Sequence, residues 1–251
     1  MTYQANQHYL LINPNTNALT TQRLEDVLMP KLPASARLAI RTASFGATYI
    51  ACEASHAVAA HACIEAWAEH LQANTEPLDG VLIGCFGDPG LFALREMSGC
   101  PVTGLAEASF IQAAALGPFS IVTGGERWKP MLHRLANSLG FDKELKHIET
   151  VIPSGAELQA NPQMAIACLT TACHNASLIG VKSIILGGAG LAGFASQIQL
   201  NIDIPIIDSA TAGLEVILGK HAPLASLSSN GSFADWSCMP KAIQNLEKRN
   251  Q

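Results

Sequence analysis

Charge is scarce in this sequence of 251 residues. Asp, Glu, Lys and Arg make up 14% of it, against roughly 25% in an ordinary soluble domain. Lys and Arg together number 15, they are scattered, and the net charge is −5. Nucleic acids and anionic membranes bind to concentrated basic faces, so neither class of partner is expected. Such a charge-poor chain, 49% hydrophobic, also predicts a homo-oligomer that buries part of the surface.

A signal peptide and a membrane-spanning segment are also absent from the sequence pattern. Residues 1–7 are polar and lack the basic region and apolar stretch of a signal peptide. The two long uncharged stretches, residues 108–125 and 183–202, are broken by Gly117-Pro118 and by four glycines respectively. The seven cysteines are odd in number and irregular in spacing, which is typical of reduced thiols. These features predict a cytoplasmic protein.

Short apolar runs alternate with longer amphipathic stretches along the chain. The runs predict strands at residues 9–12, 38–42, 80–84, 101–104, 119–123, 147–152, 183–187 and 205–208. Most are nearly continuous in apolar residues, as in parallel strands that are covered on both faces. Helical patterns lie at residues 17–29, 51–73, 89–97, 107–116, 127–139, 162–179, 194–200 and 210–218. The alternation predicts an α/β fold with mostly parallel sheets.

One glycine pattern occurs twice in the chain. Gly84, Gly87 and Gly90 recur 103 residues later as Gly187, Gly190 and Gly193. Each set begins at or just after the end of a predicted strand. The repeat predicts two pseudo-symmetric lobes, each with a mostly parallel sheet that is flanked by helices.

Two such lobes would share one cleft, because parallel strands present their C-terminal ends to ligands. We predict that residues 1–106 form the first lobe and residues 107–208 the second. Residues 209–251 are expected to pack back on the first lobe. Four residues follow or end predicted strands and would surround the cleft, which predicts an active site there: Asn13, Cys85, Thr123 and Gly188.

Cys85 is the foremost candidate for chemistry. It follows a strand, and Asp88-Pro89 is typical of the N-cap and first residue of a helix. The positive end of a helix stabilises a thiolate. The amides of Phe86 and Gly87 could hold a carboxylate or an enolate oxygen there. The alternative interpretation is a buried structural cysteine in a glycine-rich turn.

Several longer strings carry a family resemblance. They are Ile-Asn-Pro-Asn-Thr at 12–16, Gly-Cys-Phe-Gly-Asp-Pro-Gly at 84–90, Gly-Leu-Ala-Glu-Ala at 104–108, Ser-Ile-Val-Thr at 120–123, Leu-Gly-Gly-Ala-Gly-Leu-Ala-Gly at 186–193 and Ile-Pro-Ile-Ile-Asp at 204–208. In order and spacing they resemble the hydantoin and allantoin racemase branch of the Asp/Glu racemase superfamily. The likeness runs from about residue 9 to about residue 218.

The resemblance implies two lobes, no cofactor and no metal. It also implies two cysteines facing opposite sides of a carbon next to a carbonyl in a small amide, ureide or carboxylate. One thiolate would remove the proton and the opposing thiol would deliver another, since inversion needs a group on each face. The first cysteine corresponds to Cys85. Substrate-binding roles fall on Asn13, Phe86, Gly87, Thr123, Ala189 and Gly190.

The sequence departs from the family pattern at Gly188, where the family has its second cysteine. Three interpretations stay open. Another side chain or an ordered water serves the second face. Alternatively, the reaction is a decarboxylation or isomerisation in which Cys85 protonates one face only. In the third interpretation, the chain is a relative that binds a ligand without catalysis.

A dinucleotide site is a further alternative. Residues 188–193 satisfy the pattern G-x-G-x-x-G after a predicted strand, and Asp208 stands twenty positions after Gly188. The helical pattern that follows, at residues 194–200, is short for such a unit. The glycines also have counterparts around Cys85, which favours a loop that is shared by both lobes.

Overall fold

Two four-stranded parallel sheets form the centre of the computed structural model, which describes residues 7–220 and 238–245. The strands are β1 (Gln7–Asn13), β2 (Ala36–Thr42), β3 (Gly80–Ile83), β4 (Val102–Gly104), β5 (Phe119–Gly124), β6 (Leu145–Val151), β7 (Ser183–Gly187) and β8 (Ile206–Asp208). The first sheet has the order β2-β1-β3-β4, and the second has the order β6-β5-β7-β8. The second order repeats the first with each strand four positions later, so the predicted pseudo-symmetric α/β lobes are confirmed.

All eight predicted strands are confirmed, with bounds within two residues of those expected. The apolar runs identified them because the inner strands are covered by helices on both faces. β3, β5 and β7 are buried along their whole length. The edge strands β2 and β6 show a mixed pattern of burial and exposure.

Ten α-helices lie in the part of the chain that the structure describes. They are α1 (Ala18–Leu28), α2 (Glu53–Ala73), α3 (Leu91–Met97), α4 (Leu105–Leu116), α5 (Trp128–Leu139), α6 (Gly155–Ala160), α7 (Pro162–Ser177), α8 (Ala195–Ile198), α9 (Ser209–Ile217) and α10 (Lys241–Gln244). The eight predicted helices are confirmed, and α6 and α10 are additional. A capping box at Ser154 and Glu157 begins α6 and is its sequence signal. None of the described helices combines the length and the apolar character that crossing a membrane requires.

Two helices join the lobes. α9 follows the last strand of the second sheet but packs against β3 and β4 of the first. A Cβ atom at Gly213 in α9 would lie 2.9 Å from a methyl of Leu82, so the helix approaches the sheet closely. α4 contacts both α9 and β7.

The boundaries predicted at residues 106 and 208 stay a prediction, because secondary structure alone does not define independent units. α10 packs against α2, where the side-chain amide of Gln72 donates a hydrogen bond to the Lys241 carbonyl at 3.3 Å. Residues 221–237 and 246–251, which belong to the segment expected to pack on the first lobe, lie outside the described residues.

Candidate active site

A small cavity lies between the lobes at the C-terminal ends of the inner strands. We call it the central cavity; it encloses about 60 Å³. Six of the eight predicted site residues line it: Cys85, Phe86, Thr123, Gly188, Ala189 and Gly190. The loops after β3 and β7 therefore meet at one space, as the repeated glycine pattern predicts.

Asn13 is not part of the cavity wall. Its side chain is fully buried. The side-chain amide donates to the Asn15 side chain at 3.2 Å, to the Asn17 carbonyl at 3.2 Å and to Thr21 Oγ1 at 2.9 Å. Asn13 thus fixes the loop after β1, and this loop brings Asn15 and Asn17 to the cavity in its place.

Gly87 also lies outside the central cavity. His56 Nε2 lies 2.8 Å from the Gly87 carbonyl and donates a hydrogen bond to it in the matching tautomer. A Cβ atom at this position would lie 2.4 Å from the Trp128 ring. Glycine here lets Trp128, from the second lobe, pack directly on the backbone of the Cys85 loop.

Cys85 is buried, with 7% of the residue exposed, and it lies at the wall of the central cavity. Burial raises its pKa well above the ordinary value, and the Asp88 carboxylate and the Cys63 thiol raise it further. The expectation that a helix N-terminus stabilises the thiolate is wrong. α3 begins only at Leu91, and its N-cap is Gly90 in a left-handed conformation.

Asp88 caps a different helix from the one that the sequence suggested. Its carboxylate accepts hydrogen bonds from the amides of Ala106 at 2.9 Å and Glu107 at 2.8 Å, at the N-terminus of α4. Burial raises the pKa of Asp88 to about 7, although these two amides act to lower it. Asp88 therefore ties the Cys85 loop to the first turn of α4.

Gly104→Ala is expected to break this tie. Its Cβ atom would lie 2.1 Å from Asp88 Oδ1, so the carboxylate would have to leave the α4 amides. Loss of a helix cap together with overpacking should lower the free energy of unfolding by about 2–4 kcal/mol. Urea denaturation measures this change. The control is Gly155→Ala, whose Cβ would meet nothing closer than 3.9 Å; equal losses in both variants would contradict the argument.

Glu107 stands at the start of α4, but its carboxylate is already paired. Arg95 Nη2 lies 2.5 Å from Glu107 Oε2, and Thr103 Oγ1 donates to the same oxygen at 2.8 Å. Both charged side chains of the pair are largely buried. Glu107 is therefore engaged by Arg95 and Thr103 and does not line the central cavity.

Backbone amides supply polar donors at the site. Within the described part of the chain, the amides of Phe86, Gly87, Ala189 and Gly190 donate to no acceptor. They form two pairs, one in each lobe, related by the repeat of 103 residues. Of these four residues, Phe86, Ala189 and Gly190 line the central cavity, where their amides can hold carboxylate or enolate oxygens from two sides.

Gly188 is the residue equivalent to Cys85 in the repeat, 103 positions later in the chain. Its φ is +146°, a conformation that side-chain-bearing residues rarely adopt. Its amide donates to Ser209 Oγ at 3.2 Å. The chain therefore presents backbone and no proton-transfer side chain at this point of the wall.

The dinucleotide interpretation is not supported by the geometry around Asp208. That carboxylate accepts hydrogen bonds from the amides of Gly193 at 2.7 Å, Ala210 at 3.1 Å and Thr211 at 3.0 Å. It caps α9 and holds the glycine loop, so its oxygens are engaged by the backbone. The following helix, α8, has only four residues.

Sequence analysis missed two aromatic residues of the cavity wall, Tyr49 and Trp128. Trp128 begins α5, five residues after Thr123, and follows a predicted strand in the same way as Cys85 does. Tyr49 lies seven residues beyond β2, in a loop whose path the sequence pattern does not define. Among residues 7–220 and 238–245, no group of three His, Cys, Asp or Glu side chains could hold a metal ion.

Comparisons with known proteins agree with this architecture. The family model described as Asp/Glu/Hydantoin racemase matches residues 10–217. A hydantoin racemase from Pseudomonas sp. (strain NS671) is 31% identical over 217 residues, which cover 84% of this chain and 86% of that protein. One from Paenarthrobacter aurescens is 31% identical over 210 residues, covering 82% of this chain and 88% of that protein.

A solved structure shows the same fold. The allantoin racemase from Klebsiella pneumoniae superimposes with a TM-score of 0.84 at 25% identity, covering 96% of this chain and 98% of that one. The matched region of the family model contains both sheets, apart from the first three residues of β1, and both loops of the central cavity. With two repeated lobes that meet at Cys85 and Gly188, this chain belongs to the Asp/Glu/hydantoin racemase family.

Proposed function

We propose that this protein is a racemase-type enzyme that transfers protons at an acidic carbon next to a carbonyl. The substrate class is a small amide, ureide or carboxylate, and Cys85 is the acid and base. The observation that carries the proposal is the position of Cys85 on a cavity that is also lined by residues with unpaired amides from both lobes. Relatives that cover most of this chain include hydantoin and allantoin racemases.

The chemistry follows from these groups. The Cys85 thiolate takes the proton from the carbon, and the electron pair of the C–H bond moves to the carbonyl oxygen. The resulting enolate oxygen accepts hydrogen bonds from amides such as those of Phe86 and Ala189, which stabilises the charge that develops. Return of a proton to the other face of the carbon gives the opposite enantiomer.

The second candidate function is a reaction in which Cys85 protonates the substrate carbon from one face only, which we call one-sided chemistry. The absence of a side chain at Gly188 favours this candidate. Burial keeps the Cys85 thiol protonated, because it raises the pKa of that group. A neutral thiol is ready to act as an acid. When a carboxylate leaves as carbon dioxide, its bonding electron pair forms the enolate, and Cys85 would then protonate the carbon from one face.

Deuterium exchange tests the proposal. Allantoin and 5-methylhydantoin, each as a single enantiomer, are incubated with the protein in D2O. Loss of the Cα–H signal is followed by NMR, and the hand is followed by circular dichroism. We expect enzyme-dependent exchange at this carbon. Inversion supports racemisation, retention supports one-sided chemistry, and no exchange above the buffer rate with either compound contradicts the proposed function.

Gly188→Cys is expected to raise the rate of racemisation at least about tenfold, because it adds a thiol on the second face. The new Cβ would lie 3.3 Å from Leu191 Cγ, a side chain that can shift. The φ of +146° makes the variant strained, at a cost of about 1–3 kcal/mol. Polarimetry measures the rate of racemisation, and a lower midpoint temperature of thermal denaturation reports the cost of the strain.

Gly188→Ser is the matched control for this variant. It carries the same backbone strain and nearly the same volume, but its hydroxyl is a much weaker acid than a thiol. Equal racemisation by the Cys and Ser variants would show that a thiol at this position does not reach the substrate.

A further inference from the structure

We propose that Tyr49 is the second proton-transfer group, which serves the face of the substrate opposite Cys85. The inference rests on the proposed function, since it names the group that completes the same reaction. The Tyr49 phenol, which belongs to the first lobe, takes the proton-transfer role for which Gly188 has no side chain.

The composition of the cavity wall is the first observation. The described residues that line the central cavity include Asn, Thr, Ile, Leu, Ala, Gly, Phe and Trp, whose side chains do not exchange protons near neutral pH. Cys85 and Tyr49 are the two titratable side chains among them. Besides Cys85, Tyr49 is therefore the titratable side chain in the described wall that could serve the second face of the substrate.

The position of the phenol is the second observation. Tyr49 belongs to the loop between β2 and α2 of the first lobe, yet its hydroxyl donates to the Gly124 carbonyl of the second lobe at 3.3 Å. Its ring also lies beside Gly155, where Cε2 is 3.9 Å from the place of a Cβ atom. Tyr49 therefore lies on the second-lobe side of the cavity, whereas Cys85 lies in the loop that follows β3 of the first lobe.

Gly155 links the phenol to the loop of Gly188. A Cβ atom at Gly190 would lie 2.7 Å from the Gly155 carbonyl oxygen, so these two backbones are in direct contact. The Tyr49 ring and the loop that starts at Gly188 thus border the same stretch of backbone. The phenol lies next to the wall that carries Gly188, the position equivalent to Cys85 in the repeat.

The electrostatic surroundings suit a proton donor. Burial raises the pKa of Tyr49, whereas hydrogen bonding by the Trp128 side chain and the Gly155 backbone lowers it. A negative charge on Glu157, or on Cys85 when it is ionised, raises the pKa of Tyr49 further. The phenol is therefore protonated at rest, and the phenolate that remains after donation would be stabilised by Trp128 and the Gly155 backbone.

The protons balance over one turnover. The Cys85 thiolate takes the proton from one face and becomes a thiol, and the C–H electron pair forms the enolate. The Tyr49 O–H bond then breaks as the proton moves to the other face of the carbon, which leaves a phenolate. Solvent resets the pair by protonating the phenolate and accepting the thiol proton. Tyr49 also borders an outer pocket of about 450 Å³ with Arg127 and Ile152, which gives it a route to water.

Tyr49→Phe tests the inference, because it removes the hydroxyl and keeps the ring. Both enantiomers of allantoin and of 5-methylhydantoin are incubated in D2O with the variant and the unaltered protein. The variant should lose about 10²–10⁴-fold in the rate of inversion. The enantiomer whose hydrogen faces Cys85 should still exchange with retention, within about threefold of the exchange rate of the unaltered protein. The control is Tyr9→Phe, which removes a hydroxyl from β1 outside the cavity and should change neither rate.

Each of the following results overturns the inference. Inversion by Tyr49→Phe at the unaltered rate removes Tyr49 from the reaction and leaves the role of Cys85 intact. Loss of both inversion and exchange makes Tyr49 a residue needed for binding or folding. Exchange of a single enantiomer with retention in the unaltered protein shows that no group serves the second face. Failure of the unaltered protein to exchange any substrate overturns the proposed function itself.

Discussion

Replacing Cys85 by serine is expected to reduce proton exchange at the substrate carbon at least 10²–10⁴-fold, roughly the contribution of one general acid or base. The hydroxyl nearly matches the thiol in size, but it ionises far less readily and is a poorer base. NMR detection of deuterium at the carbon of allantoin or 5-methylhydantoin measures the loss. The midpoint temperature of thermal denaturation should stay close to that of the unaltered protein.

Cys52→Ser is the matched control for Cys85. Cys52 precedes α2, and hydrogen bonds from Ser55 lower the pKa of its thiol, so this is the more readily ionised of the two groups. It is absent from the lining of the central cavity. Serine also suits a helix N-cap, so activity should be unchanged. Loss of activity in Cys52→Ser with retention in Cys85→Ser would contradict the proposed mechanism.

The rate of racemisation is expected to rise steeply with pH. Burial raises the pKa of Cys85 well above its ordinary value, so only a small fraction is thiolate near neutral pH. Because this fraction grows tenfold with each pH unit below a fixed pKa, kcat/KM should rise by at most about 1000-fold from about pH 5.5 to about pH 8.5. The profile should show no plateau in this range. Rates measured with Cys85→Ser at each pH are subtracted to remove reaction with buffer base.

The same profile separates the two candidate chemistries. If Cys85 acts only as an acid, its protonated form is already dominant, so the rate should be nearly constant over this range. Asp88, with a pKa of about 7, lies beside Cys85 and becomes negatively charged within this pH range. Its ionisation raises the pKa of the thiol and makes the rise shallower above neutral pH. A profile that falls with pH would contradict the role of Cys85 as a base.

The strands and the repeat could be predicted because their physical cause is local. β3 and β7 are buried on both faces, so each must be a continuous apolar run, and the run ends where the glycine loop begins. The offset of 103 residues placed Cys85 and Gly188 at equivalent positions before any contact was known. The unpaired amides of Phe86 and Ala189 follow from the same repeat.

Asp88 shows where local reasoning failed. Asp-Pro is a common start of a helix, and the sequence therefore pointed to α3. The Asp88 backbone instead has a positive φ of 49°, and its carboxylate turns toward the amides of Ala106 and Glu107, eighteen and nineteen residues away. Only the approach of α4 to the Cys85 loop offers these donors. The raised pKa of Cys85 has the same origin, since burial is produced by packing.

The sequence by itself determined the two-lobe α/β architecture, the placement of Cys85 on a shared cleft and the lack of a side chain at Gly188. Those features depend on apolar periodicity, glycine spacing and residue identity along the chain. The tertiary structure alone decided that Asn13 supports a loop, that Asp88 caps α4 and that Tyr49 reaches the second lobe. Such roles depend on contacts between residues far apart in the chain, because burial and hydrogen-bond partners exist only after the lobes have packed.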